Sequence, residues 1–280
     1  MQQAPGRLWV VATPIGNLGD ISARALDTLR GVDAICAEDT RHSRVLLQQF
    51  GIERPLIALH EHNEADAVAG LVARLCSGQS LALISDAGTP LVSDPGFRLV
   101  RAARAAGVVV GPVPGACAAI AALSVAGLAS DRFCFEGFLP AKAGARRERI
   151  AELSGEPRTL VLYESAHRIV DALDDLAAGL GADRAAVIAR ELTKRFETVL
   201  DGGLAELAAR VRADADQQRG EFVIVIAGAE SSEAARIAEG RRVLRLLSPH
   251  LPPSTAAKLA AEISGAPRKA LYEGRSADNE

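Results

Sequence analysis

Aromatic side chains make up only 4% of the 280 residues, so the core must be packed mainly with the Ala, Val, Leu and Ile that dominate a 49% hydrophobic content. No apolar run reaches membrane length. The longest, Ala116 to Ala129, has 14 residues and includes Ser124 and Gly127, short of the roughly 20 that span a bilayer, and reads as a buried helix. The four cysteines, Cys36, Cys76, Cys117 and Cys134, are far apart with no CxxC pair, which points to reduced, mostly buried thiols rather than a disulfide framework. Of five histidines only His60 and His62 are close, without companion ligands, so no metal site is expected. The opening MQQAPGR has no basic start followed by an apolar run, and a cytoplasmic location is the expectation. An excess of positive charge is also lacking: 32 Lys and Arg against 35 Asp and Glu leave a net charge of −3, which argues against a chain coated for nucleic acid. The exception is residues 241–280, where seven basic residues, Arg241, Arg242, Arg245, Lys258, Arg268, Lys269 and Arg275, outnumber the four acids Glu262, Glu273, Asp278 and Glu280. A polyanion could engage that end.

What is present is a rhythm. Strand-like runs at 8–12, 34–37, 56–59, 81–84 and 108–113 alternate with helical patterns at 22–30, 43–50, 64–76 and 96–106. This predicts an α/β lobe with a mainly parallel sheet. Gly111-Pro112-Val113-Pro114-Gly115 reads as a linker. Beyond it, strands near 133–136, 159–163, 185–189, 196–200 and 221–226, with helices near 145–153, 166–180 and 204–212, predict a second α/β lobe. From Ser231 on only helical segments are evident, at 233–247, 254–263 and 267–272, broken by Pro252-Pro253 and Gly265 as in a helix-turn-helix. The expected parts are therefore an N-terminal lobe over 1–113, a second lobe over 114–229 and a helical appendage over 230–280.

The most informative segment is LALISDAGTPLVSDPG, residues 81–96, a short strand running into a loop of Gly, Pro, Ser, Thr and Asp. Gly88 and Gly96 permit positive φ, Pro90 and Pro95 stiffen the path, and Asp86 and Asp94 bring carboxylates beside backbone amides. The same composition also suits an ordinary tight turn. No Lys or Arg occurs from Leu81 to Phe97, whereas a triphosphate cradle places a lysine after its glycines. A cationic ligand fits better, since a unit charge pair at 4 Å and an effective dielectric of 20 is worth roughly 4 kcal/mol. The sulfonium of S-adenosylmethionine is one such cation. Thr13-Pro14-Ile15-Gly16-Asn17, between the first strand and a helix capped by Ser22, is a second candidate ligand turn, and it is not the GxGxxG of a nicotinamide enzyme.

Three further blocks end predicted strands: Glu38-Asp39-Thr40-Arg41-His42, with Thr40 as a helix cap in the plain reading; Tyr163-Glu164-Ser165-Ala166-His167-Arg168; and Arg190-Glu191-Leu192-Thr193-Lys194. If all three face one cleft, Arg41, Arg168, Arg190 and Lys194 would hold phosphates and Glu191, Asp39 or His42 would take up a proton. Surface ion pairing is the alternative for each block. Lys142, Arg146, Arg147 and Arg149 form a basic cluster that reads either as a solvated helix face or as a grip on RNA phosphates.

Seven blocks in order carry a family resemblance over nearly the whole chain: RLWVVATPIGNLGDIS at 7–22, AEDTRHSRVLL at 37–47, SDAGTPLVSDPG at 85–96, PVPGACAAIAAL at 112–123, FEGFLP at 135–140, YESAHR at 163–168 and RELTKRFE at 190–197. Together they resemble the ribosomal RNA small subunit methyltransferase I family of the tetrapyrrole-methylase superfamily. That resemblance implies S-adenosyl-L-methionine as cofactor, 2′-O-methylation of a decoding-centre cytidine in 16S rRNA of the small ribosomal subunit, and a homodimer. It implies cofactor contacts at Pro14, Asp86, Gly88, Thr89 and Val92, at Gly115, Ala116, Cys117 and Ala118, and at Tyr163 and Arg190. Tight helix packing explains the small residues of 115–118 equally well. Where relatives carry Asp this chain has Thr89, so a carboxylate contact would have to come from Asp86 or elsewhere. Asp39, Glu191 and Lys194 are the expected catalytic residues, and Arg41, His42, Arg146, Arg147, Arg168, Lys258 and Lys269 the expected RNA contacts. Methylation of a tetrapyrrole-type small molecule, or RNA binding without catalysis, are the competing functions.

Overall fold

Runs such as Ala34-Ile35-Cys36-Ala37 and Leu81-Ala82-Leu83-Ile84 present no charged side chain on either face, so both faces must be covered. The computed structural model, which describes residues 6–60, 62–229 and 233–272, shows how. Strands β1 (Arg7–Val11), β2 (Ala34–Ala37), β3 (Leu56–Ala58), β4 (Leu81–Ile84) and β5 (Val109–Val113) pair in parallel in the order β3-β2-β4-β1-β5. Helices α1 (Ala23–Gly31) and α2 (Thr40–Gln49) cover one face, with Leu29 and Leu47 against Val11, Ile35 and Ile84. Helices α3 (Glu64–Cys76) and α4 (Phe97–Ala105) cover the other, with Leu71, Leu75 and Leu99 against Leu8, Cys36 and Leu83. Each such fully buried aliphatic side chain contributes about 1.5–3 kcal/mol.

Local signals set the ends of these helices. Ser22 Oγ accepts the Ala25 N–H at 3.1 Å and starts α1. For α2 the cap is Asp39, whose carboxylate accepts the Arg41 N–H, so Thr40 is the first helical residue and not the cap. Helix α4 begins at Gly96, which has no side chain to cap it. Glu64, buried at the start of α3, supplies the missing acceptor: its Oε1 takes the N–H groups of Arg98 at 2.8 Å and Leu99 at 3.3 Å. A carboxylate there also meets the positive end of the α4 dipole, worth together about 1 kcal/mol.

The expected linker at 111–115 is partly strand, because Gly111, Pro112 and Val113 belong to β5. Strand β5 pairs only with β1 and forms the sheet edge, where a residue without an N–H can sit. Gly111 is required by close approach: a Cβ there would lie 2.7 Å from Arg7 Nη2 and 3.0 Å from the Trp9 ring, over which the Arg7 guanidinium stacks.

The second sheet is mixed. Strands β6 (Phe133–Phe138), β7 (Thr159–Ser165), β8 (Ala185–Arg190), β9 (Thr198–Gly203) and β10 (Glu221–Ile226) take the order β6-β7-β10-β8-β9, parallel only between β6 and β7. Helices α6 (Ala143–Leu153), α7 (Ile169–Leu180) and α8 (Leu204–Ala213) bury one face, and among the described residues α5 (Ala118–Val125) is the one helix that packs on the other. Helix α5 is shorter than the 14-residue apolar run, which stops being helical before Gly127 turns to positive φ. It covers the rows of Val161, Val187 and Val225. The same-face neighbours two residues away, Tyr163, Ala189 and Val223, face a cavity instead.

Residues 1–154 with 158–227 form one compact unit and residues 155–157 with 228–280 another. The second unit packs α9 (Glu233–Leu247), α10 (Pro253–Ser264) and α11 (Arg268–Tyr272) around Val243, Leu244, Ala257, Ala260 and Leu271. Pro253 opens α10, and Gly265 in the left-handed region closes it. Arg275, Glu273, Asp278 and Glu280 of the tail, and residues 1–5, lie outside the described residues. Among the described residues no helix is long and apolar enough to cross a membrane.

Candidate functional site

Strands β1 and β4 are neighbours, yet the helix after β1 packs on one face of the sheet and the helix after β4 on the other. The two outgoing loops part at the carboxyl ends of the strands and leave a crevice there, the place where open α/β sheets bind ligands. Thr13 and Gly88 lace the loops together: Thr13 N–H donates to Gly88 O at 2.8 Å, and Gly88 N–H donates to Thr13 O at 3.1 Å. Thr13 Oγ1 and the buried Ser85 hydroxyl bond the same turn from below.

Above this seam lies a cavity of about 320 Å³. Its floor is Ile15 and the 86–94 loop, its side is Cys117 and Ala118 at the start of α5, and its far wall is the uncovered face of the second sheet. Five carboxylates line it, Asp86, Asp94, Glu164, Glu191 and Glu221, against one ammonium, Lys194. An anionic ligand is disfavoured by that balance and a cationic or apolar one favoured. Backbone strain concentrates on two of its edges. Leu91 and Ser93 in one loop, and Glu191 and Thr193 after β8, all have positive φ without being glycine, the kind of conformation that surrounding contacts must hold in place.

Not every expected residue reaches this cavity. Asp86, Gly88, Thr89, Val92, Cys117, Ala118 and Tyr163 line it, as do Glu191 and Lys194. The Thr89 hydroxyl donates to Ala116 O at 2.9 Å and thereby ties the 86–94 loop to the segment before α5. Tyr163 Oη accepts the Ala119 N–H at 3.1 Å, and burial beside the Cys117 thiol raises its pKa, so it is a neutral hydroxyl. Pro14 is buried beneath the turn and its neighbour Ile15 faces the cavity in its place. Gly115 and Ala116 stand outside the wall; a Cβ on Gly115 would lie 2.9 Å from that of Ala12, so its smallness serves packing.

The cations are the main correction. Arg190 does not line the cavity: its Nε donates to Arg219 O at 2.7 Å and its Nη1 to Phe196 O at 3.0 Å, pinning the loop that follows β8. Arg146, expected at an RNA surface, is buried against Asp175 at 2.7 Å, with only 6% of its side chain exposed. Arg168 donates to Leu139 O at 2.6 Å and pairs with Glu164 at 3.1 Å, so it braces the segment after β6. These bonds turn each guanidinium inward and away from a phosphate surface, and the Arg168 Nε is buried without a hydrogen-bond partner. Arg147, His42, Lys258 and Lys269 remain on the surface, and Arg41 is 90% exposed.

Asp39 is placed just outside the wall, with its N–H bonded to Asp86 Oδ1 at 3.1 Å. Its own carboxylate grips Arg41 through Nε and Nη2 and caps α2, and these bonds to Arg41 hold it well below the usual carboxylate range. Glu191 and Lys194 are paired at 2.8 Å, and Lys194 reaches Glu221 at 2.7 Å. Burial pulls the Glu191 carboxyl up, but the Lys194 ammonium and the Glu221 N–H outweigh it and leave it lowered. Burial pushes Lys194 down, and the two carboxylates carry it above its ordinary value. Asp94 is the opposite case. Burial pushes it up, the Ser85 hydroxyl opposes this, and the charges of Glu38 and Asp86 add to it, bringing it to about 6.

Sequence reading missed Glu221, Phe222 and Val223, because nothing in the chain announces that β10 lies between β7 and β8. It also passed over Phe138, a residue 53% exposed at the rim, with its ring edge-on to Tyr163 at 5.7 Å. An exposed aromatic in a chain with so few of them was the available signal. Of the cysteines only Cys36 is buried; Cys117 and Cys134 are half-buried and Cys76 is exposed. His60 and His62 follow β3 with ring centroids 6.1 Å apart, and no group of three or more potential metal-holding side chains occurs among the described residues.

Comparison with known proteins agrees with this architecture. Residues 7–208 match the family model of the Tetrapyrrole (Corrin/Porphyrin) Methylases, and residues 234–273 match that of the RsmI C-terminal HTH domain. The chain is 66% identical over 270 residues to the ribosomal RNA small subunit methyltransferase I of Xylella fastidiosa (strain Temecula1), covering 96% of this chain and 99% of that one. It is 57% identical to the protein of that name from Pseudomonas aeruginosa, covering 96% of each, and 53% identical to that of Escherichia coli O157:H7, covering 96% and 94%. Among solved structures, the methyltransferase CobJ superposes with a TM-score of 0.59 at 18% identity, over 80% of this chain and 95% of that one. The uroporphyrin-III-C-methyltransferase from Thermus thermophilus gives 0.54 at 20%, over 79% and 94%. These distant structures share the fold. By its family model and its relatives over nearly their full length, the chain belongs to the tetrapyrrole methylase family and, within it, to the ribosomal RNA small subunit methyltransferase I group.

Proposed function

We propose that this chain uses S-adenosyl-L-methionine to methylate the 2′-hydroxyl of a cytidine ribose in the decoding centre of 16S rRNA, acting on the small ribosomal subunit as a homodimer. The observation that carries the reading is the crevice at the carboxyl ends of β1 and β4, walled by five carboxylates and one paired ammonium. The RNA target rests on the name shared by the relatives, and the cytidine ribose and the dimer rest on the family resemblance.

The cavity fits such a cofactor. Its size lies within the range of small-ligand sites, about 300–1,000 Å³. Its wall combines apolar surface from Ile15, Val92, Leu192 and Val223 with the carboxylates of Asp86 and Asp94. When bound, the cofactor supplies a methyl group on a positively charged sulfur. The protein's part is alignment. Ile15, Gly88, Val92, Cys117, Ala118 and Tyr163 would hold it, and the seam between Thr13 and Gly88 fixes the two loops that form its floor. Holding two reactants in register supplies roughly 7–11 kcal/mol of the barrier, more than acid–base chemistry contributes. An acidic wall repels RNA phosphates, so backbone contacts belong to exposed cations such as Arg41, Arg147 and Lys258, with salt-dependent affinity.

Calorimetry with two ligands tests the cofactor assignment. S-adenosylmethionine is expected to bind once per chain while ATP, of similar nucleoside shape but polyanionic, gives no heat. Binding of ATP in place of S-adenosylmethionine would contradict the reading.

A further inference from the structure

We propose that Asp94 is the group that takes the proton from the attacking ribose hydroxyl, a role that rests on the methyl-transfer reading of this cavity and assigns its missing proton acceptor. Seven side chains compete for that role, and their surroundings eliminate six, Asp86 among them because its Oδ1 already accepts the Asp39 N–H at 3.1 Å. Asp39 is locked to Arg41 and the α2 N-terminus and does not line the cavity. Glu191 and Glu221 share Lys194, and Glu164 is held by Arg168 and by the Ser165 N–H. A carboxylate already holding a cation or a backbone donor has fewer lone pairs open to an incoming hydroxyl. Lys194 carries its proton between two carboxylates and cannot accept another.

Asp94 differs from all of these. It lines the cavity, it is half-buried, and no ion pair to it occurs among the described residues. The groups that face it are the Ser85 hydroxyl, the carboxylates of Glu38 at the end of β2 and Asp86 of its own loop, and the Tyr163 hydroxyl from β7. Its orientation is imposed by the loop. Leu91 and Ser93 precede it at positive φ, and Ser93 Oγ lies 3.0 Å from where a Cβ of Gly137 would stand, so the bulge in β6 approaches that strained turn closely. Strain retained beside a base without a counter-charge is the arrangement expected where a carboxylate must stay reactive near neutral pH.

The step balances. As the ribose oxygen forms its bond to the methyl carbon, the O–H bond breaks and Asp94 keeps the proton. The carbon–sulfur bond breaks with its electron pair left on sulfur. A carboxylate and a sulfonium thereby become a carboxylic acid and a neutral thioether, so no net charge is created inside the cavity.

The experiment compares the wild-type chain with Asp94→Asn and Asp94→Glu on small ribosomal subunits at saturating cofactor, from pH 5 to 8. The wild-type rate is expected to rise with pH through about 6, the Asn variant to lose about 10²-fold in kcat together with that acid limb, and the Glu variant to recover part of both. Cofactor Kd should weaken by much less than kcat falls, because Asp86 keeps a carboxylate on that wall, while carbon-13 NMR of the protein alone should show one carboxyl titrating near 6 that Asp94→Asn removes. Asp94→Asn should also raise the melting temperature, since the fold no longer holds a carboxylate beside two others. An Asn variant with normal kcat and an intact acid limb would overturn the proposal. So would one whose entire loss is a weaker cofactor Kd. If the wild-type chain transfers no methyl group to the subunit, the function reading itself fails.

Discussion

Lys194→Ala is expected to lower kcat about 10²-fold while weakening cofactor binding much less, because its removal loosens the loop that completes the cavity without taking away its floor. Lys194 is a mechanical link as well as a charge. Its ammonium bridges Glu191 and Glu221, and its stem lies so close to the turn after β1 that a Cβ on Gly16 would stand 2.4 Å from its Cγ. Glu191 and Thr193 sit at positive φ on either side of Leu192, which lines the cavity. Without the ammonium, the Glu191 carboxylate keeps the Glu221 N–H, and the strained turn keeps its backbone bonds and the Arg190 anchor but loses its charged brace to Glu221. Losing a charge-assisted bond at a largely covered site costs roughly 1.5–3 kcal/mol of stability. Its pH window follows from the shifts: the folded pKa of Glu191 is lowered, so its contribution is present above the ordinary carboxylate value and is lost as pH falls through the folded one. The folded pKa of Lys194 is raised, so its contribution is complete below the ordinary lysine value and is lost only as pH rises through the folded one. Steady-state kinetics at saturating cofactor, with melting curves at pH 4 and 7, check both effects. Glu191→Gln should show the same pattern, with turnover affected more than cofactor affinity. Normal rates for both variants would remove this loop from the mechanism.

Gly88→Val should act on the cofactor instead, weakening its binding tenfold or more, about 1.4 kcal/mol. Gly88 has φ +81 and exchanges both backbone bonds with Thr13, so it cannot relax without opening the seam. A side chain there suffers the left-handed penalty of about 1–2 kcal/mol. Its Cβ would stand 3.1 Å from Ile15 Cγ2 and 3.5 Å from Ala116 O, on the cavity floor. For a chain of this size that strain lowers the melting temperature by about 2–8 °C. Calorimetry and thermal melts separate the two losses. An unchanged Kd would show that the loop after β4 is not the cradle.

The legible part of this molecule is the part where one physical rule acts alone. Parallel strands buried on both faces are apolar, so β2 and β4 stand out at their ends and β1 within a residue, its exposed Arg7 aside, and the loops after β1 and β4 line the cavity. Two cases failed where neighbours distant in sequence decide. Whether a strand tolerates Gly111-Pro112 depends on its being an edge, and β9 begins at Thr198, not Phe196, because Arg190 pins the Phe196 carbonyl in the preceding loop and leaves its ring 64% exposed. The insertion of β10 between β7 and β8 brought Glu221 and Val223 to the cavity with no local signature. Arginine misled most. Its charge reads as surface, yet Arg146, Arg168 and Arg190 each bury a guanidinium on carboxylates or carbonyls within the second lobe. The cations left for RNA are accordingly fewer than the composition implies.

Purified small ribosomal subunits lacking the modification, incubated with this chain and S-adenosylmethionine labelled in its methyl group, give the most direct measurement once the rRNA is mapped for ribose methylation. The account predicts one labelled methyl group per subunit, on the 2′-oxygen of a single cytidine in the decoding centre. Label on a base, label spread over many sites, or none above the level seen without the protein would contradict it.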